Sequence, residues 1–200
     1  MKRREFFLIP IAGAVASGES GWLSLCDGKT LKGWKQEGKA VWEVQGGTIV
    51  GRQGPGGTAG DLLTEKQWAN FEVELEWSMK WPGNSGIWFR YVSAKSAYQA
   101  DILDQSSHPG VLSGSLYCMG KAFIAENRDA ASVKKDGWNK MRIRAMGDEV
   151  TVELNGRVVV QTRDQTFSGP GSIGIQLHAG KDYEGMEISV RKMRIRSFDK

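Results

Sequence analysis

Cysteine, histidine and proline are scarce in this 200-residue chain, at two, two and five residues. Two cysteines cannot make a disulfide-stapled scaffold, and with two histidines they leave no Cys/His spacing of a metal site. Cys26 and Cys118 lie far apart and are read as free thiols buried like small hydrophobes. No apolar run reaches the ~20 residues of a membrane-spanning helix. Charge of one sign is lacking too: 27 basic and 23 acidic residues are interspersed, for a net of +4, which argues against a nucleic-acid partner. The chain has no Gly-rich phosphate loop ahead of a helix, no Gly-x-Ser-x-Gly elbow and no zincin pair, so neither a cofactor nor a metal is expected.

Twenty-six glycines and eight tryptophans stand out instead, with 40% hydrophobic and 25% charged residues, enough for one packed domain. The N-terminus has a different texture. Lys2, Arg3 and Arg4 precede an apolar run from Phe6 to Ala16, with small residues at Ala14-Val15-Ala16. This is the layout of a cleavable export signal of the twin-arginine type over residues 1–16, which places the protein in the periplasm or outside the cell and leaves 17–200 as the single working domain. Loss of Lys2, Arg3, Arg4 and Glu5 would bring the net charge from +4 to +2.

From Trp22 onward, apolar alternation recurs in short segments over 41–44, 48–51, 71–79, 86–92, 98–103, 116–118, 140–145, 150–154, 158–161, 172–178 and 186–195. Gly51 to Gly60 reads as a surface loop and His108 as part of a plain turn. No long helical period is present, so the prediction is an all-β, two-sheet antiparallel sandwich. Successive residues of a strand face opposite sides. Phe71, Val73, Leu75, Trp77 and Met79 therefore belong to the core, with Glu72, Glu74, Glu76 and Ser78 outside. Asn155-Gly156 marks a type I′ hairpin, since both residues tolerate positive φ, and Trp138 to Val160 reads as a three-stranded meander.

An ordered set of segments carries a family likeness: Leu25-Cys26-Asp27-Gly28 through Trp34, Phe71 to Glu76, Asn84-Ser85-Gly86-Ile87-Trp88-Phe89-Arg90, Tyr98 to Asp104, Ser113 to Tyr117, Trp138-Asn139, Leu154-Asn155-Gly156 and Gly171 to His178. Together they resemble the 3-keto-disaccharide hydrolase domain family over nearly the whole mature chain. The resemblance implies a concanavalin A-like jelly roll and an enzyme acting on glycosides oxidised to a ketone at C3. Departures from the family pattern fall at Gln99-Ala100-Asp101, where the acidic and amide positions are exchanged, at Leu177, and at Val190-Arg191-Lys192.

Alternation along the matched strands puts Ile87, Phe89 and Tyr91, then Tyr98, Ala100 and Ile102, then Ile173, Ile175 and Leu177 into the core. It leaves Glu76, Trp88, Arg90, Gln99, Asp101, Gln176 and His178 as candidates for one concave face. A carboxylate, an imidazole, an arginine and an aromatic platform suit a sugar. The chemistry implied by the ketone is removal of the acidified C2 proton, β-elimination of the C1 oxygen and addition of water. His178 or a desolvated Asp101 is the expected base, with Arg90 on the enolate oxygen and Glu76 orienting Arg90 or the imidazole. Trp88, Gln99, Gln176, Asn84 and Tyr117 are expected to bind the carbohydrate. The ordinary alternative for Glu76 and Arg90 is a cross-strand ion pair on a solvated face. Two competing functions stay open: a non-catalytic carbohydrate-binding module, and a sandwich that meets another protein.

Overall fold

The computed structural model describes residues 21–103 and 109–199. The expected export signal and His108 lie outside the described residues. Fifteen strands are present among them: β1 Trp22–Ser24, β2 Trp34–Gly38, β3 Val41–Gln45, β4 Thr48–Arg52, β5 Gly60–Trp68, β6 Phe71–Lys80, β7 Asn84–Ser93, β8 Ser96–Leu103, β9 Leu112–Cys118, β10 Ala122–Asn127, β11 Asn139–Met146, β12 Glu149–Leu154, β13 Arg157–Arg163, β14 Gly171–Leu177 and β15 Glu187–Ser197.

These strands form two antiparallel sheets. One has eight strands in the order β13-β12-β11-β6-β15-β4-β3, with β1 also on β15; the other has seven, in the order β10-β9-β8-β7-β14-β5-β2. Consecutive strands such as β5, β6 and β7 alternate between sheets, the jelly-roll habit of crossing from one layer to the other. The core lies between the layers. Phe71, Val73, Leu75 and Trp77 of β6 meet Ile87 and Phe89 of β7, Tyr98 and Ile102 of β8, and Ile173, Ile175 and Leu177 of β14, all essentially without solvent exposure. Each such side chain contributes about 1.5–3 kcal/mol by leaving water. The meander over β11, β12 and β13 is formed, and its turn has Asn155 at φ 52° and Gly156 at φ 82°. Cys26 is half-buried and Cys118 buried, both as free thiols.

Four strands carry too little alternation to be read in advance: β1, β2, β5 and β10. In β5 the neighbours Leu62 and Leu63 are both buried, Leu62 in the main core and Leu63 in a smaller cluster on the other face of the sheet with Trp88, Tyr91 and Ala97. Two adjacent apolar residues facing opposite apolar environments erase the period of two.

Backbone bulges reset the face of two further residues. In β7 the register slips between Phe89 and Ser93, and Arg90 takes φ 49°. There Gly171 of β14 lies so close that a Cβ would clash with the backbone of Arg90 and Tyr91. In β15 the slip falls between Arg191 and Arg194, with Lys192 at φ 52°. A bulge puts one extra residue into a strand, so the side chains beyond it exchange faces.

Candidate active site

The site is a cavity of about 400 Å³ on the outer face of the seven-stranded sheet, lined among others by Asp61, Asn84, Trp88, Tyr91, Gln99, Asp101, Tyr117, Gln176 and His178. Its floor is a grid set by strand register. One row runs across the sheet through directly opposed residues: Glu37 on β2, Asp61 on β5, Gln176 on β14, Gly86 on β7 and Asp101 on β8. The next row, two residues along, runs Leu63, Gly174, Trp88, Gln99, Tyr117 and Phe123. On the other side of the first row stands Asn84, whose carbonyl accepts from the backbone N–H of His178 at 3.2 Å.

Gly86 has a specific task in this grid. Without a side chain there, Gln99 lies across β7, and its Nε2 donates to Oε1 of Gln176 at 2.9 Å. A Cβ at position 86 would sit 2.5 Å from Gln99 Nε2. The two amides thus form a fixed bar over the floor, with the remaining Gln176 N–H and Gln99 oxygen left to serve sugar hydroxyls.

Asp101 is 6% exposed, and no side-chain hydrogen bond joins it to another described residue. Burial alone pushes its carboxyl well above the usual aspartate range. His178 follows directly on β14, is exposed, and is held at one edge: its Nδ1 lies 2.6 Å from the carbonyl of Ala179, and its ring stands edge-on to Tyr183 at 5.6 Å. A carbonyl only accepts, so Nδ1 carries the proton and Nε2 offers the lone pair. The segment after His178 is braced by Gln53, whose Nε2 donates to the carbonyls of His178 at 3.1 Å and Gly180 at 3.0 Å. The loop after β4 thereby supports the site.

Seven of the nine expected residues come together here: Asp101, His178, Trp88, Gln99, Gln176, Asn84 and Tyr117. Glu76 does not. It lies on β6 in the opposite sheet, where Arg191 Nε donates to it at 2.7 Å and Lys192 Nζ at 2.9 Å. Its expected place failed because alternation within a strand fixes its inward and outward faces but not the sheet to which it belongs. The ordinary ion-pair reading describes it, with Arg191 and Lys192 as partners.

Arg90 is also elsewhere. The bulge turns it into the protein, fully buried, with Nε and Nη2 donating to the Ala69 carbonyl at 2.9 and 2.7 Å and Nη1 donating to the Phe167 carbonyl at 3.0 Å. It ties two loops and touches no carboxylate, so the cross-strand ion pair with Glu76 is absent as well. By the same slip Tyr91, expected in the core, joins Trp88 at the cavity.

Two cavity residues had no usable signal in the sequence. Asp61 opens β5, the strand without alternation, and Tyr91 is displaced by a bulge. Among the described residues no cluster of three or more His, Cys, Asp or Glu could hold a metal ion.

A sugar-sized hollow with paired amides, a tryptophan, a buried lone carboxyl and an edge imidazole narrows the field, and comparison with known proteins decides the family. Residues 21–196 match the 3-keto-alpha-glucoside-1,2-lyase-like domain. The chain belongs to that family. A 3-keto-disaccharide hydrolase of Bacteroides thetaiotaomicron is 31% identical over 174 residues, covering 70% of this chain and 58% of the relative. The chain therefore spans little more than half that protein's length. Among solved structures, a candidate glycosyl hydrolase of Parabacteroides distasonis superposes with a TM-score of 0.66 at 19% identity, covering 90% of this chain and 94% of that one. The carbohydrate-binding module CBM66 of Bacillus subtilis superposes with a TM-score of 0.63 at 20% identity, covering 82% and 96%. At these identities the solved structures bear on the fold alone. The 3-keto-alpha-glucoside lyase-like domain described here is an all-β jelly roll, as its sheets already indicate.

Proposed function

We propose that this domain cleaves 3-keto-α-glucosides in the cavity over the seven-stranded sheet. The observation that carries the reading is the meeting of a buried, unpartnered Asp101 and an edge-held His178 in one sugar-sized hollow. Two titratable groups in unlike environments can divide the acid and base roles. Nε2 of His178 takes the C2 proton, which the C3 ketone has made acidic. As the enolate collapses, the bond from C1 to the glycosidic oxygen breaks, and that oxygen takes the proton of Asp101. The sugar is left as a 1,2-unsaturated 3-ketone. Water then adds at C1 and gives its proton to the Asp101 carboxylate, while the imidazolium returns a proton to C2. The sum is hydrolysis. Stopping before water adds gives a lyase.

Gln99, Gln176 and Asn84 supply hydrogen bonds to hydroxyls, and Trp88 and Tyr117 supply apolar surface. Export remains part of the proposal, on the strength of Arg3-Arg4 and the apolar run after them.

The test is turnover of methyl 3-keto-α-glucopyranoside in D₂O, compared with the unoxidised glycoside. Release of methanol from the keto form alone, with deuterium at C2 of the sugar product, is the expected result. Cleavage of both forms, or a product without deuterium at C2, rules out the mechanism. Saturable binding of the keto form without turnover would leave a carbohydrate-binding module, a role the fold also serves in CBM66.

A further inference from the structure

The proposed chemistry leaves two carboxylates at the far side of the cavity without a task. Glu37 and Asp61 stand directly opposite each other on β2 and β5, an arrangement in which like charges repel. Each is engaged by an aromatic side chain of β7. Trp88 Nε1 donates to Asp61 Oδ1 at 2.8 Å, and the Tyr91 hydroxyl donates to Glu37 Oε2 at 2.9 Å. The other Glu37 oxygen accepts from Lys35 Nζ at 3.2 Å. The two rings lie 5.8 Å apart between centroids, tilted by 56°, and both line the cavity. An indole in a mostly apolar cluster with Leu63 and Ala97 has one polar atom, and Asp61 fixes where it points.

The position of this corner matters. Asn84, which holds His178, and Trp88 are four residues apart on β7, about 13 Å at ~3.3 Å per residue. Asp101 lies in the row between them. The cavity therefore has a reacting end and an aromatic end, with room for two linked rings.

We propose that Asp61 and Glu37 are positioning residues that, through Trp88 and Tyr91, hold an aromatic corner receiving the ring of the departing group. This rests on the reaction proposed above. The Trp88 face packs against the C–H surface of that ring, and the carboxylates keep indole and phenol at their mutual angle. The Tyr91 hydroxyl brings Glu37 into the same device from the neighbouring strand.

The experiment compares two substrates with the same reacting sugar and alkyl leaving groups, cyclohexyl and methyl 3-keto-α-glucopyranoside. Asp61→Leu removes the acceptor for the indole, whereas Asp61→Asn keeps an oxygen there. The expected result is a KM for the cyclohexyl glycoside raised about 10-fold in Asp61→Leu and no more than about 2-fold for the methyl glycoside. Asp61→Asn restores most of the difference, and Glu37→Leu against Glu37→Gln repeats the pattern more weakly. Equal KM changes for both substrates, or an Asp61→Asn as impaired as Asp61→Leu, overturns the proposal while the reaction stands. If the wild type turns over neither glycoside, the reaction falls, and the corner is judged by calorimetry with unoxidised cyclohexyl and methyl α-glucopyranoside. A wild-type preference for cyclohexyl that Asp61→Leu loses and Asp61→Asn keeps supports it. No preference, or one that Asp61→Leu retains, overturns it.

Discussion

The two sheets of this sandwich each bury a carboxylate on their outer face, and treat it in opposite ways. Glu74, on β6 of the eight-stranded sheet, is 4% exposed; Asp101, on β8 of the seven-stranded sheet, is 6% exposed. Glu74 lies between Arg142 on β11 and Arg194 on β15, in a ladder whose neighbouring rows are Lys140-Glu76-Arg191 and Arg144-Glu72-Arg196. Arg142 Nε donates to it at 2.7 Å and Arg194 Nη2 at 2.9 Å. Burial by itself would raise Glu74, but hydrogen bonds from Arg194 and Arg142, with the charges of Arg142 and Lys140, outweigh it and hold the carboxyl below the usual range. Asp101 has burial and nothing against it. A carboxylate surrounded by bases is a structural strut whose proton is gone at any working pH; one left alone in a hollow keeps a proton it can exchange.

The sharpest way to break this contrast is to remove the charge from each group in turn. Asp101→Asn is expected to lower turnover of a 3-keto glucoside about 10³-fold, the ordinary scale of a lost acid–base group, with His178→Ala comparably impaired. Stability should move the other way. An aspartate whose folded pKa is raised contributes stability fully below the unfolded value of ~3.9 and loses it as pH climbs through the folded value. Thermal melts should therefore show Asp101→Asn more stable than wild type at pH 7 and level with it near pH 4. An active Asp101→Asn, or one that melts lower at pH 7, removes the special status of this carboxyl.

Arg90 marks the boundary between the two regimes: it lies on the sheet that bears the cavity yet acts as a strut. Arg90→Met strips donors from the carbonyls of Ala69 and Phe167 and is expected to cost about 3 kcal/mol. Active protein that remains folded should retain its KM, which a group touching substrate could not allow.

For the ladder, Glu74→Gln leaves Arg142 and Arg194 facing a neutral partner. Both guanidiniums are more than a third exposed, so water offsets part of the loss and about 2 kcal/mol is expected. The sign is opposite to that of Asp101: a depressed carboxyl contributes stability above its unfolded pKa and loses it as pH falls through the folded value. The melting difference between wild type and Glu74→Gln should shrink as pH falls below the carboxylate range. Turnover should be unchanged.

How much of this was visible beforehand follows from what a strand pattern encodes. The period of two separated Phe71, Val73 and Leu75 from Glu72, Glu74 and Glu76, and put Gln99 and Asp101 outward on β8, because facing is a local property of the backbone. Which sheet a strand joins is not local, so Glu76 and Asp101 looked like companions while standing on opposite surfaces. Bulges are equally silent: nothing in Phe89-Arg90-Tyr91 announces that Arg90 turns inward and Tyr91 outward, since the slip depends on Gly171 of a strand some 80 residues away. Asp61 went unseen because Leu62 and Leu63 beside it serve two separate apolar clusters. The family likeness located the strands of the site correctly, but residue roles within it had to wait for register.

The smallest expected effect tests the geometry of the floor. Gly86 is flanked by Asp101 on one side and Gln176 on the other, and its missing side chain is the space through which Gln99 reaches Gln176. Gly86→Ala would place a methyl 2.5 Å from Gln99 Nε2, and the flexible amide can swing away where a backbone could not. Folding should therefore survive with a loss within about 1 kcal/mol. The amide bar would move by about an ångström, and a misplacement of that size can cost as much as ~10²-fold in rate. Because the amides bind hydroxyls and carry no proton of the reaction, about 10-fold in kcat/KM is the expected loss. Most of it should fall in KM, and Gln99→Ala placed on top should add little. A Gly86→Ala enzyme with wild-type kinetics would mean that the bar spanning β7 is a packing detail, and the seven-stranded face would then owe its chemistry to Asp101 and His178 alone.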